Sequence, residues 1–164
     1  MCKIKYFNNS ECINMQSDKV VVSLEFGEKL KDVSYRRREA VYAVVIDDLK
    51  NIAVMIQNGK GFLPGGGIEL GENHNVSLIR ECIEETGFTF QMTHFLGNAK
   101  QYFKTRQGEH LMNNGYFYTG AFGEYASDPF DQDHELVWMN IDQAEEIIFH
   151  SSHVWAVKKG LGLV

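Results

Sequence analysis

Residues 66–88, GGIELGENHNVSLIRECIEETGF, constrain this chain more than any other stretch. Five glutamates and one arginine follow Pro64 and the glycines Gly65, Gly66 and Gly67. The spacing predicts a helix over residues 73–86. Asn73 or Asn75 is placed to cap its start, and Gly87 takes the position just past its end where a left-handed residue stops a helix. At 100° per residue, Val76, Ile79, Cys82 and Ile83 gather on one side, which is the expected core face. Glu81, Glu84 and Glu85, at i, i+3 and i+4, gather opposite. Like charges at these spacings cost about 0.2–0.5 kcal/mol each even when solvated. Acidic runs are most often solvated faces, but here no lysine stands at i+4 from any of the three, and only Arg80 lies beside them. A hard cation such as Mg²⁺ reverses the sign of the repulsion. It takes oxygen ligands, keeps several waters and shares itself with substrate phosphates. A Pro-Gly-Gly-Gly loop beside the helix lets backbone approach such a site closely.

The charge balance points the same way. With 22 acidic against 16 basic residues the net charge is −6. Such a chain has no long-range attraction for a nucleic-acid polymer. An anionic substrate would need cations to mediate its binding. The three cysteines, Cys2, Cys12 and Cys82, are odd in number and lack metal-type spacing, so neither a disulfide framework nor a zinc site is expected. Cys82 falls on the core face of the helix. Residues 1–19 begin basic but have no apolar core, which speaks against a signal peptide. No apolar run is long enough to span a bilayer, and a cytoplasmic protein without membrane contact is expected.

At 164 residues, one domain is expected, with about 70% of the unfolded surface buried. No repeat or low-complexity linker interrupts the chain. Residues 20–26 read as a β-branched strand. Residues 39–46, containing AVYAVVI, read as a strand buried on both faces. The polar turn at 47–51 leads to a strand over 52–56, which is expected to pair with its predecessor as a hairpin, and Asn58-Gly59-Lys60-Gly61 reads as a second turn. Further strands are read over 89–95, 99–104, 115–122 and 136–140. A short amphipathic helix follows over 141–149, and a last helix, capped by Ser151 or Ser152, ends near Gly160. Together these elements imply an α/β (α+β) fold with a sheet between helices.

Gly66, then Glu72 after five residues, then Arg80-Glu81-Cys82-Ile83-Glu84-Glu85-Thr86-Gly87-Phe88 after seven more, resembles the Nudix box, Gly-x5-Glu-x7-Arg-Glu-U-x-Glu-Glu-x-Gly-U with U apolar. Every fixed position matches, and the likeness in pattern runs from about residue 39 to 160, leaving an N-terminal extension of about 34 residues. The resemblance implies a mixed sheet sandwiched between helices in an α/β/α arrangement, with the box forming loop–helix–loop. It implies metal-dependent hydrolysis of a diphosphate linkage in a nucleoside diphosphate derivative or a nucleoside triphosphate. Carried over by position, Glu81, Glu84 and Glu85 become ligands of Mg²⁺, for which Mn²⁺ could stand in, with the Gly65 carbonyl as a further ligand. Arg80 would orient a box carboxylate, Gly66 and Gly67 would border the substrate, and Glu72 would anchor the loop or stand in the outer shell. Glu81 is the first choice of general base, with a residue of a later loop as the alternative.

The acidic segment 128–135 contains Glu135, and Glu135-x-x-Trp138 is similar to a segment of many relatives in which a glutamate approaches the metals. An acidic surface loop is the competing reading of Glu135. Tyr102, Phe103, Tyr116 and Tyr118 either stack a base or pack the sheet, Tyr102 being the candidate substrate contact. Arg36-Arg37-Arg38 reads as a basic edge strand or a phosphate contact. His150 and His153 read as helix-start residues rather than metal ligands. No extended signature for ADP-ribose, diadenosine polyphosphate, coenzyme A or NADH is present, so the nucleotide-type substrate stays open. A homodimer through free sheet edges is compatible with the pattern. The alternative of another class is a Nudix-like module that senses a nucleotide without cleaving it.

Overall fold

The apolar run of residues 40–45 is buried along its whole length, and it organises the molecule. The structure, a computed structural model, describes residues 11–16, 19–130 and 133–164, with side-chain burial from residue 24 onward. Cys2 and the basic start of the chain, and Asp131 in the later acidic segment, lie outside the described residues. The strands are β1 (Glu11–Gln16), β2 (Lys19–Phe26), β3 (Arg36–Val45), β4 (Ile52–Gln57), β5 (Lys60–Phe62), β6 (Gly65–Gly67), β7 (Phe88–Lys104), β8 (His110–Tyr125) and β9 (Glu135–Met139). The helices are α1 (His74–Thr86), α2 (Ile141–Ile147) and α3 (Ser151–Gly160).

Six strands form a mixed sheet in the order β1-β2-β7-β8-β3-β6, and three form a second sheet, β5-β4-β9. Because side chains alternate along a strand, β3 feeds two cores. Ala40, Tyr42 and Val44 face Leu63, Phe117, Ala156 and Val157 on the α3 side. Val41, Ala43 and Val45 face Leu78, Cys82 and Phe90 on the α1 side. This is the sheet between helices that the sequence predicts. Cys82 is fully buried, and burial holds its thiol well above the ordinary range.

Four local readings change. The expected hairpin between the strands at 39–46 and 52–56 reduces to one bridge, Ile46 to Ile52. The reason is edge occupancy: β3 is paired with β8 from Arg36 to Val45 and with β6 at Ala40 to Tyr42, so β4 joins β5 and β9 instead. The turn itself forms, with Asp47 Oδ1 accepting the N–H groups of Leu49 (2.9 Å) and Asn51 (2.7 Å). The strands at 89–95 and 99–104 are one bent strand, β7, with register shifts as far as Phe95/Gly97. At the last shift Gly97 has φ +150°, and a Cβ there would stand 2.8 Å from the Trp155 ring of α3. Neither Ser151 nor Ser152 caps α3. His150 takes the cap position without a side-chain bond, and Gln101 Oε1 of β7 accepts the Ser152 N–H at 3.1 Å.

The fourth change concerns α1. Asn73 caps it, accepting the Val76 N–H, and Gly87 ends it at φ 80°. Its buried residues, however, are Ser77, Leu78, Cys82 and Thr86, while Val76 is 50% exposed. The helix is rolled towards its acidic side. The carboxylates therefore lie in a groove between α1 and β6 rather than on an open surface. Among the described residues no helix is long and apolar enough to cross a membrane.

Candidate active site

The three glycines of β6 each accommodate a different close approach. Gly65 has φ +137°, and a Cβ there would overlap the Val41 carbonyl oxygen of β3. A Cβ on Gly66 would stand 2.5 Å from Glu81 Oε2, and one on Gly67 would stand 3.2 Å from Arg38 Nε. β6 is thus a bare backbone ribbon with a carboxylate against one residue and a guanidinium against the next.

Arg80 organises the loop that carries this ribbon. It grips Glu72 with two bonds, Nε to Oε1 at 2.7 Å and Nη2 to Oε2 at 2.9 Å. Its Nη1 donates to Glu81 Oε1 (2.9 Å) and Glu84 Oε2 (3.2 Å), and its Nη2 also donates to the Gly67 carbonyl (2.9 Å). Glu72 in turn accepts the Glu69 N–H at 3.0 Å. The fork geometry of a guanidinium suits it to this role, which a lysine could not fill. The hydrogen bond from Arg80 holds the Glu72 carboxyl down at about 2, and the same bond raises the guanidinium still further. Glu72 is therefore a fixed carboxylate tying the loop to α1.

Glu81 and Glu85 point into a cleft of about 370 Å³ that Arg38, Tyr42, Gly65, Gly66, Phe103 and His134 also line. Burial raises the Glu81 carboxyl above its ordinary range, against the lowering pull of Arg80. Glu85 Oε2 accepts the Gly65 N–H at 2.9 Å, and its Oε1 lies 3.7 Å from His134 Nδ1. The structure thus brings together Glu81, Glu85, Gly65 and Gly66. Glu84, Glu72 and Gly67 sit beside them on Arg80.

Two sequence candidates are elsewhere. Tyr102 does not reach the cleft: it is buried against Tyr35, with ring centroids 5.1 Å apart, and its hydroxyl lies 3.3 Å from Glu25 Oε1. The alternation of β7 sends Phe103 into the cleft instead. Glu135 is exposed at the start of β9, and its neighbour His134 faces Glu85. Of the two readings of Arg36-Arg37-Arg38, a basic edge or a phosphate contact, the cleft position of Arg38 is compatible with the second. β6 covers that edge at Ala40 to Tyr42, and Arg36 and Arg37, which precede it, pair outside the cleft with Glu109 and Glu39. Arg38 shares a face with Ala40 and Tyr42, so counting back by two from Tyr42 could have found it. His134 and His150 carried no comparable signal. His153 is structural, its Nδ1 accepting the Leu63 N–H at 3.1 Å, and burial holds it neutral.

Among the described residues no three His, Cys, Asp or Glu side chains converge as a ready-made metal cage. Mg²⁺ does not require one, since it binds through one or two carboxylates, waters and substrate oxygens. The donor set is all oxygen, and Glu81 is a half-buried carboxylate whose ionisation a cation would favour. The residues present fit a hard divalent cation.

Residues 36–156 match the family model of the NUDIX domain. The chain is 30% identical over 118 residues to Nudix hydrolase 4 of Arabidopsis thaliana, covering 70% of this chain and 56% of that protein. It thus spans little more than half the length of that relative. Nudix hydrolase 17, mitochondrial, of the same plant is 26% identical over 139 residues, 80% of this chain and 70% of its own length. Among solved structures, a NUDIX hydrolase from Nitrosomonas europaea superimposes with a TM-score of 0.65 at 18% identity, covering 77% of this chain and 90% of that one. At that identity the likeness is one of fold.

Proposed function

This chain belongs to the Nudix family, and from that premise we propose that it is a Mg²⁺-dependent pyrophosphohydrolase, acting in the cytoplasm on a diphosphate linkage in a nucleotide-type small molecule. The observation that carries the reading is the convergence of Glu81 and Glu85 on the bare backbone of Gly65 and Gly66, with the Arg38 guanidinium in the same cleft.

Glu81, Glu84 and Glu85 would hold the cation, with Mn²⁺ as its substitute and the Gly65 carbonyl as a further donor. Bound there, it supplies charge neutralisation for the bridging phosphates and a lowered pKa for water. The protein's own groups do the rest. Arg80 fixes the positions of Glu81 and Glu84 through its hydrogen bonds. Arg38 forms no close ion pair among the described residues, although its charge acts on Glu81 across the cleft, and its guanidinium is placed to donate to a phosphate oxygen. Glu81, half-buried beside Gly66, is the group we assign to accept the proton of the attacking water. Phe103 and Tyr42 wall the cleft.

Incubation of the protein with a panel of nucleoside diphosphate derivatives and Mg²⁺ should release phosphorylated products. Glu84→Gln should lower kcat at least about 100-fold, the scale of losing a charged group that stabilises the transition state. Unchanged activity in that variant would show the metal assignment to be wrong. Tight nucleotide binding without turnover under any divalent metal would favour a sensing module instead.

A further inference from the structure

The floor of the cleft does not stop at the carboxylates. Phe62, Phe103 and His150 line both the cleft and a second hollow of about 330 Å³ that opens beside it. The charged side chains of this hollow are all basic. Lys60, Lys104 and Arg106 line it, and no carboxylate does. That is an unexpected composition in a chain with 22 acidic and 16 basic residues. Four surface cations elsewhere do have carboxylate partners: Arg36 with Glu109, Arg37 with Glu39, Lys100 with Glu25 and Lys158 with Glu145. Among the described residues none of Lys60, Lys104 and Arg106 does.

The three cations are held in different ways. Lys60 Nζ sits 3.5 Å from the centroid of the Phe149 ring, which positions its charge over the hollow's aromatic wall. Lys104 ends β7, and Arg106 lies in the turn between β7 and β8, both exposed. Like charges gathered on one concavity within a Debye length repel one another. An anion in the hollow would reverse that repulsion. Because the hollow shares walls with the cleft, one molecule can occupy both.

We propose that this hollow is a subsite for a second anionic group of the substrate: a phosphoryl group separate from the linkage that is cut. The preferred substrate is then a phosphate-rich nucleotide-type molecule, with Lys60, Lys104 and Arg106 selecting the additional phosphate. This rests on the reading of the adjoining cleft as the hydrolytic site. The additional phosphate can stand on a sugar or continue the same polyphosphate chain, and two substrate pairs separate these sources. One pair is ADP-ribose and its 2′-phosphorylated form. The other is a dinucleoside diphosphate and the corresponding tetraphosphate.

The test compares kcat/KM within each pair for the wild-type protein and for Lys104→Gln, Arg106→Gln and the double variant. Both residues are exposed near the end of a hairpin, and circular dichroism of each variant checks that it folds. Wild type should prefer the additional phosphate in at least one pair, and the pair identifies its source. Each substitution should lower that preference on the order of tenfold, the scale of one charge-assisted hydrogen bond. The loss should lie in KM rather than kcat, and the wild-type preference should shrink as salt is raised. No preference in either pair, or a preference that the double variant retains, overturns the proposal. Calorimetric titration with inorganic tripolyphosphate and pyrophosphate separates its failure from failure of the hydrolytic reading. If no substrate is turned over, tighter binding of tripolyphosphate that the double variant loses still supports the subsite. Equal binding by both proteins overturns it.

Discussion

Replacing Gly66 by alanine tests the site at its narrowest point. The new Cβ would stand 2.5 Å from Glu81 Oε2 and 2.6 Å from Oε1. An unstrained contact needs about 3.5 Å, so the carboxylate must retreat by about 1 Å. That movement is open to it, because the carboxylate is the end of a flexible side chain. The retreat weakens the 2.9 Å bond from Arg80 and moves the proposed base off its position. A misplacement of about 1 Å costs on the order of 100-fold in rate, or about 2.7 kcal/mol of transition-state stabilisation. Folding should hardly change. Gly66 is not among the residues with positive φ, so alanine fits its backbone. The stiffened unfolded chain contributes about 0.4–1 kcal/mol, which offsets the weakened hydrogen bond. Gly65→Ala is the contrast: its φ of +137° and the Val41 carbonyl leave no room for a side chain, and that variant should unfold far more easily. Product release measures kcat/KM, and urea denaturation measures stability. Gly66→Ala with wild-type kcat/KM would refute the placing of the chemistry at Glu81, and Gly66→Ala as unstable as Gly65→Ala would refute the claim that only a side chain moves.

Arg80→Gln removes the grip on Glu72, Glu81, Glu84 and the Gly67 carbonyl; it should destabilise by about 1–3 kcal/mol in urea titrations, the range for charged hydrogen bonds left unmade. Stability should fall with acid in two windows. Burial holds His150 down at about 4 against an ordinary 6.5, so its contribution is complete above pH 6.5 and is lost as pH falls through 4, since the unfolded chain takes the proton first. His150→Phe should flatten that slope in unfolding titrations, apart from the share of His153. Glu72, held at about 2 against 4.5 by the hydrogen bond from Arg80, contributes stability that is complete above 4.5 and lost as pH falls towards 2; Arg80→Gln should abolish that second window. Leu78→Ala, at a fully buried position, should cost about 2–5 kcal/mol. Cys82 should resist alkylation in the native protein and react once it unfolds, as peptide mapping would show.

What could be read without a structure was whatever depends on neighbours in sequence. The α1 helix, its Asn73 cap and its Gly87 stop follow from local backbone preferences. The double burial of β3 follows from an unbroken apolar run. The turn at Asn58-Gly59, with φ of 50° and 74°, follows from the left-handed tolerance of those two residues. The box pointed to the family because every fixed position from Gly66 through Glu72 and Arg80 to Phe88 matches a motif 23 residues long. Partner choice across the chain was not legible. Which edge of β3 was free decided that β4 would join a second sheet, and no local signal records edge occupancy. The roll of α1 towards its acidic side followed from packing Leu78 and Cys82 against β3, which left Val76 exposed and drew Glu81 into the groove. A one-residue choice of face on β7 put Phe103 rather than Tyr102 in the cleft. Arg38, His134 and the cations of the adjoining hollow come from β3, β4–β5, the β7–β8 turn and the approach to β9. Segments that distant in sequence become one surface only when the sheets close around their shared cores, because side-chain proximity there is set by strand register and packing rather than by spacing along the chain.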